Sequence, residues 1–511
     1  MMNSNTHNYS INELKNDFFA SLVVVLVAVP LCLGISIASG MPPEAGLISG
    51  IIGGIIVGSL SGCPLQVSGP AAGLVAIVFE IIQEHGADHL GAVLLFAGFI
   101  QVIAGLLKLG PWFRAVSPAV IQGMLAGIGI LILSSQFHVM VDDLPKHSGI
   151  ENIISLPKAF LKGVVPMDTS VHHLAAFVGL ITICGMFLWK ITFKKLTSIP
   201  SALVGVLTAT VVSYFLKYPI KYVSIPDNLY QAIRFPSLES FSCLLSWEVL
   251  VEALTVAFIA SAESLLTSTA VDKMQTNHRT NYNKEIIAQG VGNSLAGLVG
   301  ALPITGVIVR SSANVTAGAK TRVSSFLHGI WILLFVIYFS GLLKVIPTAS
   351  LAAILVYTGY KLIDLNAIKD LARIGKWEII IYFTTLLVIV MDSLLEGVLV
   401  GIVLSVIKLL YDFSRLAVQA NEDLNSNTVH VYIEGNATFI NLPNFAEALE
   451  KIKFGKNVFI HFEKLLHIDH ASLEFLMNWE KQYMANGGIV TIKWDEIETK
   501  FYNKTLVNQS K

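Results

Sequence analysis

Arg310 is the only residue with a permanent charge in the stretch ALPITGVIVRSSANVTAG, residues 301–318, and Ser311 and Ser312 follow it directly. This apolar run is too short to cross a bilayer as a full helix, which needs about 20 residues. An arginine at the bilayer centre costs about 2.5–3.5 kcal/mol on insertion scales, so we expect it to have a partner or to line water. Such a cation could bind an anion. Two alternatives remain open, namely that Arg310 reaches an interface or pairs structurally with a carboxylate.

Glu263 is the second charged residue in apolar surroundings, within VEALTVAFIASAESLLTSTAVD. Thr267 follows one helical turn later and therefore lies on the same face. A buried carboxylate can take up a proton, and together with hydroxyl groups it can also hold Na⁺. The pair therefore predicts a cation-coupling site for Na⁺ or H⁺, and no other metal or cofactor is expected. As an alternative, Glu263 is simply the structural counter-ion of Arg310.

The composition requires a membrane protein. Of the 511 residues, 54% are hydrophobic and 14% are charged, whereas the hydrophobic core of a soluble domain stops growing at about 250–300 residues. The formal net charge of −1 argues against nucleic acid as a partner. The four cysteines show no metal or redox spacing. No nucleophile, base and orienting group can be assembled, so an enzyme is not predicted.

Hydropathy predicts about fourteen membrane segments, two of which, near 68–80 and 309–318, are too short to span. Beyond about residue 421 strand and helix patterns alternate, for example in NTVHVYIEG, NFAEALEKI and NVFIHFE. The predicted domains are an N-terminal cytoplasmic segment (1–17), a transmembrane domain (18–420) and a small α/β domain (421–511). Even-numbered loops carry about twice as many Lys and Arg residues as odd-numbered loops. The positive-inside rule then places both termini in the cytoplasm.

Residues 46–73 resemble residues 285–312 at a constant offset of 239, which aligns Gly53 with Gly292 and Pro64 with Pro303. In each copy a glycine-patterned helix leads into one of the short segments. About seven spans per copy force the second copy to insert upside down, which is the inverted-repeat plan of secondary transporters. The alternative is that the small residues only allow close helix packing.

The two short segments predict the anion site. Pro70 suits a first helical position because it needs no N–H donor there. The residues after it offer backbone donors, and the start of the second segment faces them. Two helix N-termini meeting near the membrane centre bind an anion through free N–H groups and helix dipoles. The predicted anion-binding residues are Ser68, Gly69, Pro70, Ala71, Ala72, Val309, Arg310, Ser311 and Ser312.

Several ordered motifs give the chain a resemblance to a known family. DFFASLVVVLVAVPLCLGISIASGMPPEAGL, QVSGPAAG, ESLLTSTAVD and GNSLAGLVGALPITGVIVRSSANVTAGAKTRVS resemble the SulP family of anion transporters, which includes prestin and pendrin. The resemblance covers nearly the whole chain. It implies seven plus seven inverted spans in core and gate subdomains, an elevator-like mechanism, a homodimer and a cytoplasmic STAS domain. The implied substrates are sulfate, bicarbonate, chloride, oxalate or small dicarboxylates.

The chain departs from the family pattern at several places. Leu31 and Ile35 stand where many members carry a glutamine and an aromatic residue, so fewer side chains are expected to touch the anion. The apolar Leu31 resembles the bacterial branch of the family that includes sodium-coupled bicarbonate transporters, where that position is also apolar. That branch often has aspartate at the position of Glu263, which leaves Na⁺ and H⁺ both open as the coupled cation.

Two alternative functions remain open. One is a passive anion channel or exchanger of the same fold, and the other is a membrane-anchored STAS signalling protein.

Overall fold

The computed structural model describes residues 10–111, 117–146, 148–165, 170–192, 199–224, 246–276, 278–413, 415–423, 427–492 and 494. Contacts divide the chain into two units, residues 1–402 and 403–511. Nine of the described helices are long and apolar enough to cross a membrane. The chain is a mostly helical, multi-pass membrane protein with a small C-terminal α/β domain.

The first half of the membrane part begins with α1, whose first turn carries a capping box formed by Ser10 and Glu13. Its elements are α1 (Ile11–Ala38), α2 (Pro43–Leu60, with a π-helical turn at Gly53–Val57), β1 (Ser68–Pro70), a 3₁₀ turn (Ala72–Leu74), α3 (Val75–His85), α4 (Ala87–Leu106), α5 (Pro118–Met140), α6 (Gly149–Val164), α7 (Val171–Thr192) and α8 (Ser201–Leu216).

The second half repeats this order of elements. They are α9 (Trp247–Met274), α10 (Tyr282–Leu298), β2 (Ile304–Gly306), α11 (Ile308–Thr316), α12 (Val323–Leu343), α13 (Thr348–Leu362), α14 (Leu365–Ile374), α15 (Lys376–Met391) and α16 (Leu394–Phe413). In each half the third segment is a three-residue strand followed by a short helix, and a short helix without a membrane-length apolar run follows the fifth. The predicted inverted repeat of seven plus seven segments is therefore confirmed.

The two halves are interleaved in space. Helix α4 packs against α9 and α10, and α1 packs against α12, so the first four segments of each repeat form one group. Helix α5 packs against α13 and α15, and α7 packs against α8, so the remaining segments form the other. These groups correspond to the expected core and gate subdomains.

Strands β1 and β2 pair antiparallel, with Ser68 opposite Gly306 and Pro70 opposite Ile304. The predicted offset of 239 describes α2 and α10, which begin at Pro43 and Tyr282, but it changes to 236 at the strands. The loop before β1 differs in length from the loop before β2. As a result Pro303 directly precedes β2, whereas Pro64 does not directly precede β1.

The C-terminal unit has its own sheet, with β3 (Leu416–Asp423), β4 (Thr428–Ala437), β5 (Asn457–His461), β6 (Leu465–Ile468), β7 (Ile489–Ile492) and the helices α17 (Leu442–Glu450) and α18 (His470–Ala485). The strand order is β3-β4-β5-β7, and β6 also pairs with β4. Only β3 is antiparallel to its neighbour. Because β3 begins at Leu416, the sheet includes residues before the domain start predicted at 421. Likewise, α1 begins within the predicted N-terminal segment 1–17.

Candidate functional site

The crossing of the two repeats is built around the β1–β2 pair. Helix α10 faces it with polar side chains at positions i, i+4 and i+8, namely Glu285, Gln289 and Asn293, all buried. Gln289 Nε2 donates to Ser68 Oγ at 2.8 Å. Asn293 accepts from the amide of Ile304 at 2.6 Å and donates to its carbonyl at 3.0 Å. One helix face therefore holds both strands in place.

Glu285 anchors the loop that leads into β1. Its donors are Ser61 Oγ, the amides of Gly62 and Cys63, Gln66 Nε2 and Gln289 Nε2, at 2.5–3.0 Å. A buried carboxylate is costly unless hydrogen bonds satisfy it, and here five donors do so. Glu285, Gln289 and Asn293 were not among the predicted site residues, although their spacing of four along one helix face is visible in the sequence.

Helix α9 holds the other edge of the strand pair. Ser264 Oγ accepts from the amide of Gly306 at 3.0 Å, and Thr267 Oγ1 donates to the carbonyl of Gly306 at 2.8 Å. The hydroxyl hydrogen of Thr267 is thus used within the protein. Its oxygen lone pairs are the part that could contact a cation, as predicted for this residue.

Arg310 lies in the first turn of α11, and its side chain is fully buried. Nη2 donates to Cys32 Sγ at 3.4 Å, whereas Nε and Nη1 have no hydrogen-bond partner among the described residues. A Cβ on Gly69 would lie 2.1 Å from Nη1, so the guanidinium packs directly against the backbone of β1. The side chain therefore does not reach an interface, and it carries unused donors.

Glu263 lies against Gly73, four residues after the glycine that Arg310 contacts. A Cβ on Gly73 would be 3.0 Å from both carboxylate oxygens. Oε2 is buried without a hydrogen-bond partner among the residues that the structure describes. Within those residues no ion pair joins Glu263 to Arg310. The two charged groups thus take separate places beside the strand pair.

The helix starts beside the strands have no side-chain caps. Val307 is the N-cap of α11 and Ala71 that of the 3₁₀ turn, and neither side chain accepts a hydrogen bond. First-turn amides and the helix dipole favour an anion at both places, although on the 3₁₀ side the amide of Gly73 already donates to Glu263. Val309 is 46% exposed, so the start of α11 is accessible.

Pro70 was predicted at the first helical position, and this is wrong. It is the last residue of β1, and α3 begins only at Val75, after the 3₁₀ turn. Proline fits there because a two-stranded pair has open edges that require no amide donor. The helical donors on this side therefore begin at Ala72, while Ala71 is extended and buried.

Ser311 and Ser312 both form hydrogen bonds with backbone groups of the protein. Ser311 Oγ donates to the carbonyl of Val307 at 2.8 Å and accepts from the amide of Val67 at 3.0 Å. Ser312 Oγ donates to the carbonyl of Val309 at 3.1 Å. Because both hydroxyl hydrogens are used in this way, the remaining donors for an anion are the backbone amides and the guanidinium of Arg310.

A cavity of about 430 Å³ leads along α3 from its first turn to its last. Its walls include Val75 and Ala76 at one end and Glu84 at the other, and α5, α15 and α16 line the opposite side. The cavity thus lies between the two groups of helices.

Comparison with known proteins agrees with this architecture. The family model described as the sulfate permease family matches residues 14–385. The Bacillus subtilis protein YvdB is 27% identical over 97% of this chain and 94% of that protein. The bicarbonate transporter BicA of Picosynechococcus is 26% identical over 83% of this chain and 75% of that protein. The solved structure of SLC26A9 superposes with a TM-score of 0.75 at 16% identity, covering 94% of this chain and 84% of that one. The chain belongs to the sulfate permease family.

Proposed function

We propose that this member of the sulfate permease family is a secondary active transporter of an inorganic anion, bicarbonate or sulfate, across the cytoplasmic membrane. The observation that carries the proposal is the buried guanidinium of Arg310, with two unused nitrogens beside two uncapped helix starts. A buried cation without a carboxylate partner is unfavourable on its own. An anion bound between the helix starts relieves that cost.

The anion is recognised by size and charge. The available donors are backbone amides and one guanidinium, a pattern that binds tetrahedral and planar oxyanions alike. The family and the similarity to BicA support bicarbonate or sulfate. Because Ser311 and Ser312 use their hydroxyl hydrogens internally, selectivity depends on the space between the strands and the helix starts.

Coupling to Na⁺ or H⁺ takes place at Glu263 and Thr267. Glu263 has a buried oxygen without a hydrogen-bond partner among the described residues, and the hydroxyl oxygen of Thr267 is one helical turn away. The cavity along α3 is lined by Glu80, Glu84 and Asp392 but by a single lysine, Lys146. An acidic approach attracts cations, which supports cation entry from that side.

The grouping of helices supports an elevator-type mechanism. The site lies entirely in the group that contains α1–α4 and α9–α12, so this group can move as a body against the other. We further propose that the protein is a homodimer, that both termini are cytoplasmic and that the C-terminal α/β unit is a STAS domain. Its mixed sheet with two helices is consistent with that assignment.

Uptake of labelled anion by proteoliposomes tests the function. Accumulation above equilibrium under an imposed Na⁺ or H⁺ gradient is expected. Flux that never exceeds equilibrium would favour a channel, and uptake that requires internal anion would favour an exchanger. A truncation after Phe413, the last residue of α16, should retain uptake. Complete loss of uptake with a stably folded membrane part would favour the signalling alternative.

Two substitutions separate the roles of the charged residues. Arg310→Ala should raise the KM for the anion at least about tenfold, because the loss of a hydrogen bond to a charged group costs about 1.5–3 kcal/mol. Glu263→Gln should abolish gradient-driven accumulation and leave anion exchange. An unchanged KM would make Arg310 structural, and normal accumulation would remove Glu263 from coupling.

A further inference from the structure

Two histidines and a glutamate converge at the end of α3 that is remote from the anion site. His85 is the last residue of α3, His89 lies in the first turn of α4, and Glu252 lies in the second turn of α9. His89 Nε2 is 2.7 Å from Glu252 Oε2, and His85 Nε2 is 3.6 Å from Glu252 Oε1. One ligand atom from each residue lies within 4.8 Å of the other two.

The chain brings the imidazoles together through a break between two helices. Gly86 has φ +87°, a conformation that L-residues other than glycine rarely adopt. It ends α3 and allows α4 to start at once, so the ring centroids of His85 and His89 are 4.5 Å apart. The side chains of His85, His89 and Glu252 are 31%, 14% and 19% exposed. The cluster is therefore accessible, with His85 exposed and His89 and Glu252 partly buried.

We propose that His85, His89 and Glu252 bind a divalent transition-metal ion of the Zn²⁺ type. Two imidazole nitrogens and one carboxylate oxygen are a common ligand set for Zn²⁺, which leaves a fourth position for water. The ligand atoms lie within 4.8 Å of one another, so small side-chain rotations would bring all three to the distance of about 2.0–2.2 Å that Zn²⁺ prefers. Glu84, with Oε2 3.8 Å from His85 Nε2, is close enough to support the site.

This site is distinct from the anion site. Along α9, Glu252 and Glu263 are eleven residues apart, which corresponds to about 16 Å at 1.5 Å per residue. Helix α3 separates His85 from the 3₁₀ turn by a similar distance, because it too has 11 residues. A bound metal would link α3, α4 and α9 at one end without touching the anion.

Binding is tested on the purified full-length protein carrying a tag without histidine, titrated with ZnCl₂ in a calorimeter. His89→Gln should weaken one Zn²⁺ site by about tenfold or more, since the loss of a ligand removes at least as much affinity as the loss of a supporting group. Mg²⁺ should not compete, because it prefers oxygen ligands. Thermal unfolding with Zn²⁺ should shift upwards in the unsubstituted protein and much less in the variant.

A second histidine pair provides the matched control. His430 Nδ1 and His461 Nε2 are 3.0 Å apart in the C-terminal sheet, so His430→Gln must leave the proposed site unchanged. Glu252→Gln repeats the test with an isosteric change if His89→Gln does not fold. If neither His89→Gln nor Glu252→Gln removes or weakens one Zn²⁺ equivalent relative to the unsubstituted protein, or if Zn²⁺ binding is not saturable, His89 and Glu252 form only a hydrogen-bonded pair.

Discussion

The contact between Gly69 and Arg310 allows the anion site to be perturbed without removing its charge. In Gly69→Ala the new methyl group would lie 2.1 Å from Arg310 Nη1 and 3.1 Å from Cζ, where ordinary contacts begin at 3.4 Å. The guanidinium must therefore retreat by about 1.3 Å. A hydrogen bond of about 2.9 Å to a bound anion would then lengthen to about 4.2 Å, which is beyond hydrogen-bonding distance.

The expected effect follows from the strength of that bond. Hydrogen bonds to charged groups contribute about 1.5–3 kcal/mol, and every 1.4 kcal/mol corresponds to a tenfold change in affinity. The KM for the anion should thus rise roughly 10- to 150-fold in proteoliposome uptake. The maximal rate should change less, because Arg310 keeps its charge.

Gly341→Ala is the matched control. A Cβ at Gly341, in α12, meets nothing within 4 Å, so this variant should keep the original KM. Size-exclusion profiles in detergent show whether Gly69→Ala remains folded. A folded Gly69→Ala protein with an unchanged KM would refute the inference that the guanidinium contacts the anion.

Three further predictions concern the surroundings of the site and the C-terminal unit. Glu285→Gln replaces an acceptor oxygen by a donor and leaves at least two buried donors unpaired, at about 1–3 kcal/mol each, so the melting temperature in detergent should fall clearly. Thr267→Val should raise the KM for the coupled cation while the KM for the anion changes little; equal effects on both would indicate a structural role. Although partial burial would raise the pKa of Asp469, hydrogen bonds from the amides of Ser472 and Phe439 hold it below its usual value. The stabilisation by Asp469 is therefore present above about pH 4 and is lost as the pH falls through the lowered pKa, so Asp469→Asn should show a flatter acid unfolding profile than the unsubstituted protein.

The positions of the membrane segments could be predicted because hydropathy and segment length are local properties of a sequence. The interrupted segments were predictable for the same reason, since a short apolar run next to glycine and proline cannot span a bilayer. Arg310 and Glu263 stood out because charged residues are rare in such surroundings. Their separate positions beside Gly69 and Gly73 were not predictable, because they depend on packing between distant parts of the chain.

The pairing of β1 with β2 could not be predicted either. Three residues per strand give no recognisable alternation, and Ser68 and Gly306 are far apart in sequence. The expectation that Pro70 begins a helix used only its local preference, whereas the strand partner determined its conformation. The polar face of α10 was visible as a pattern, but its purpose depends on a loop more than 200 residues earlier.

The two repeats supply the same backbone but different charges. At the offset of 236 that aligns β1 with β2, Arg310 corresponds to Leu74 and Glu263 to Val27, both of which are buried and apolar. The shared scaffold provides two helix starts, each worth about +0.5 of a charge. The second repeat carries both charged residues, whereas the first repeat has apolar residues at both equivalent positions. The charges of Arg310 and Glu263 therefore break the symmetry that the shared backbone would otherwise give the site.

This charge balance predicts how anions of different valence depend on the coupled cation. The helix starts contribute about +1 in total, and Arg310 and Glu263 cancel, so a monovalent anion neutralises the site. Sulfate leaves an excess of about −1 unless Glu263 is protonated or binds Na⁺. At constant Na⁺, sulfate affinity should therefore fall more steeply than chloride affinity as the pH rises, and in Glu263→Gln this difference should vanish. Calorimetric titration with sulfate and with chloride at several pH values measures both affinities. If both affinities change equally with pH in the unsubstituted protein, Glu263 does not sense the charge of the bound anion.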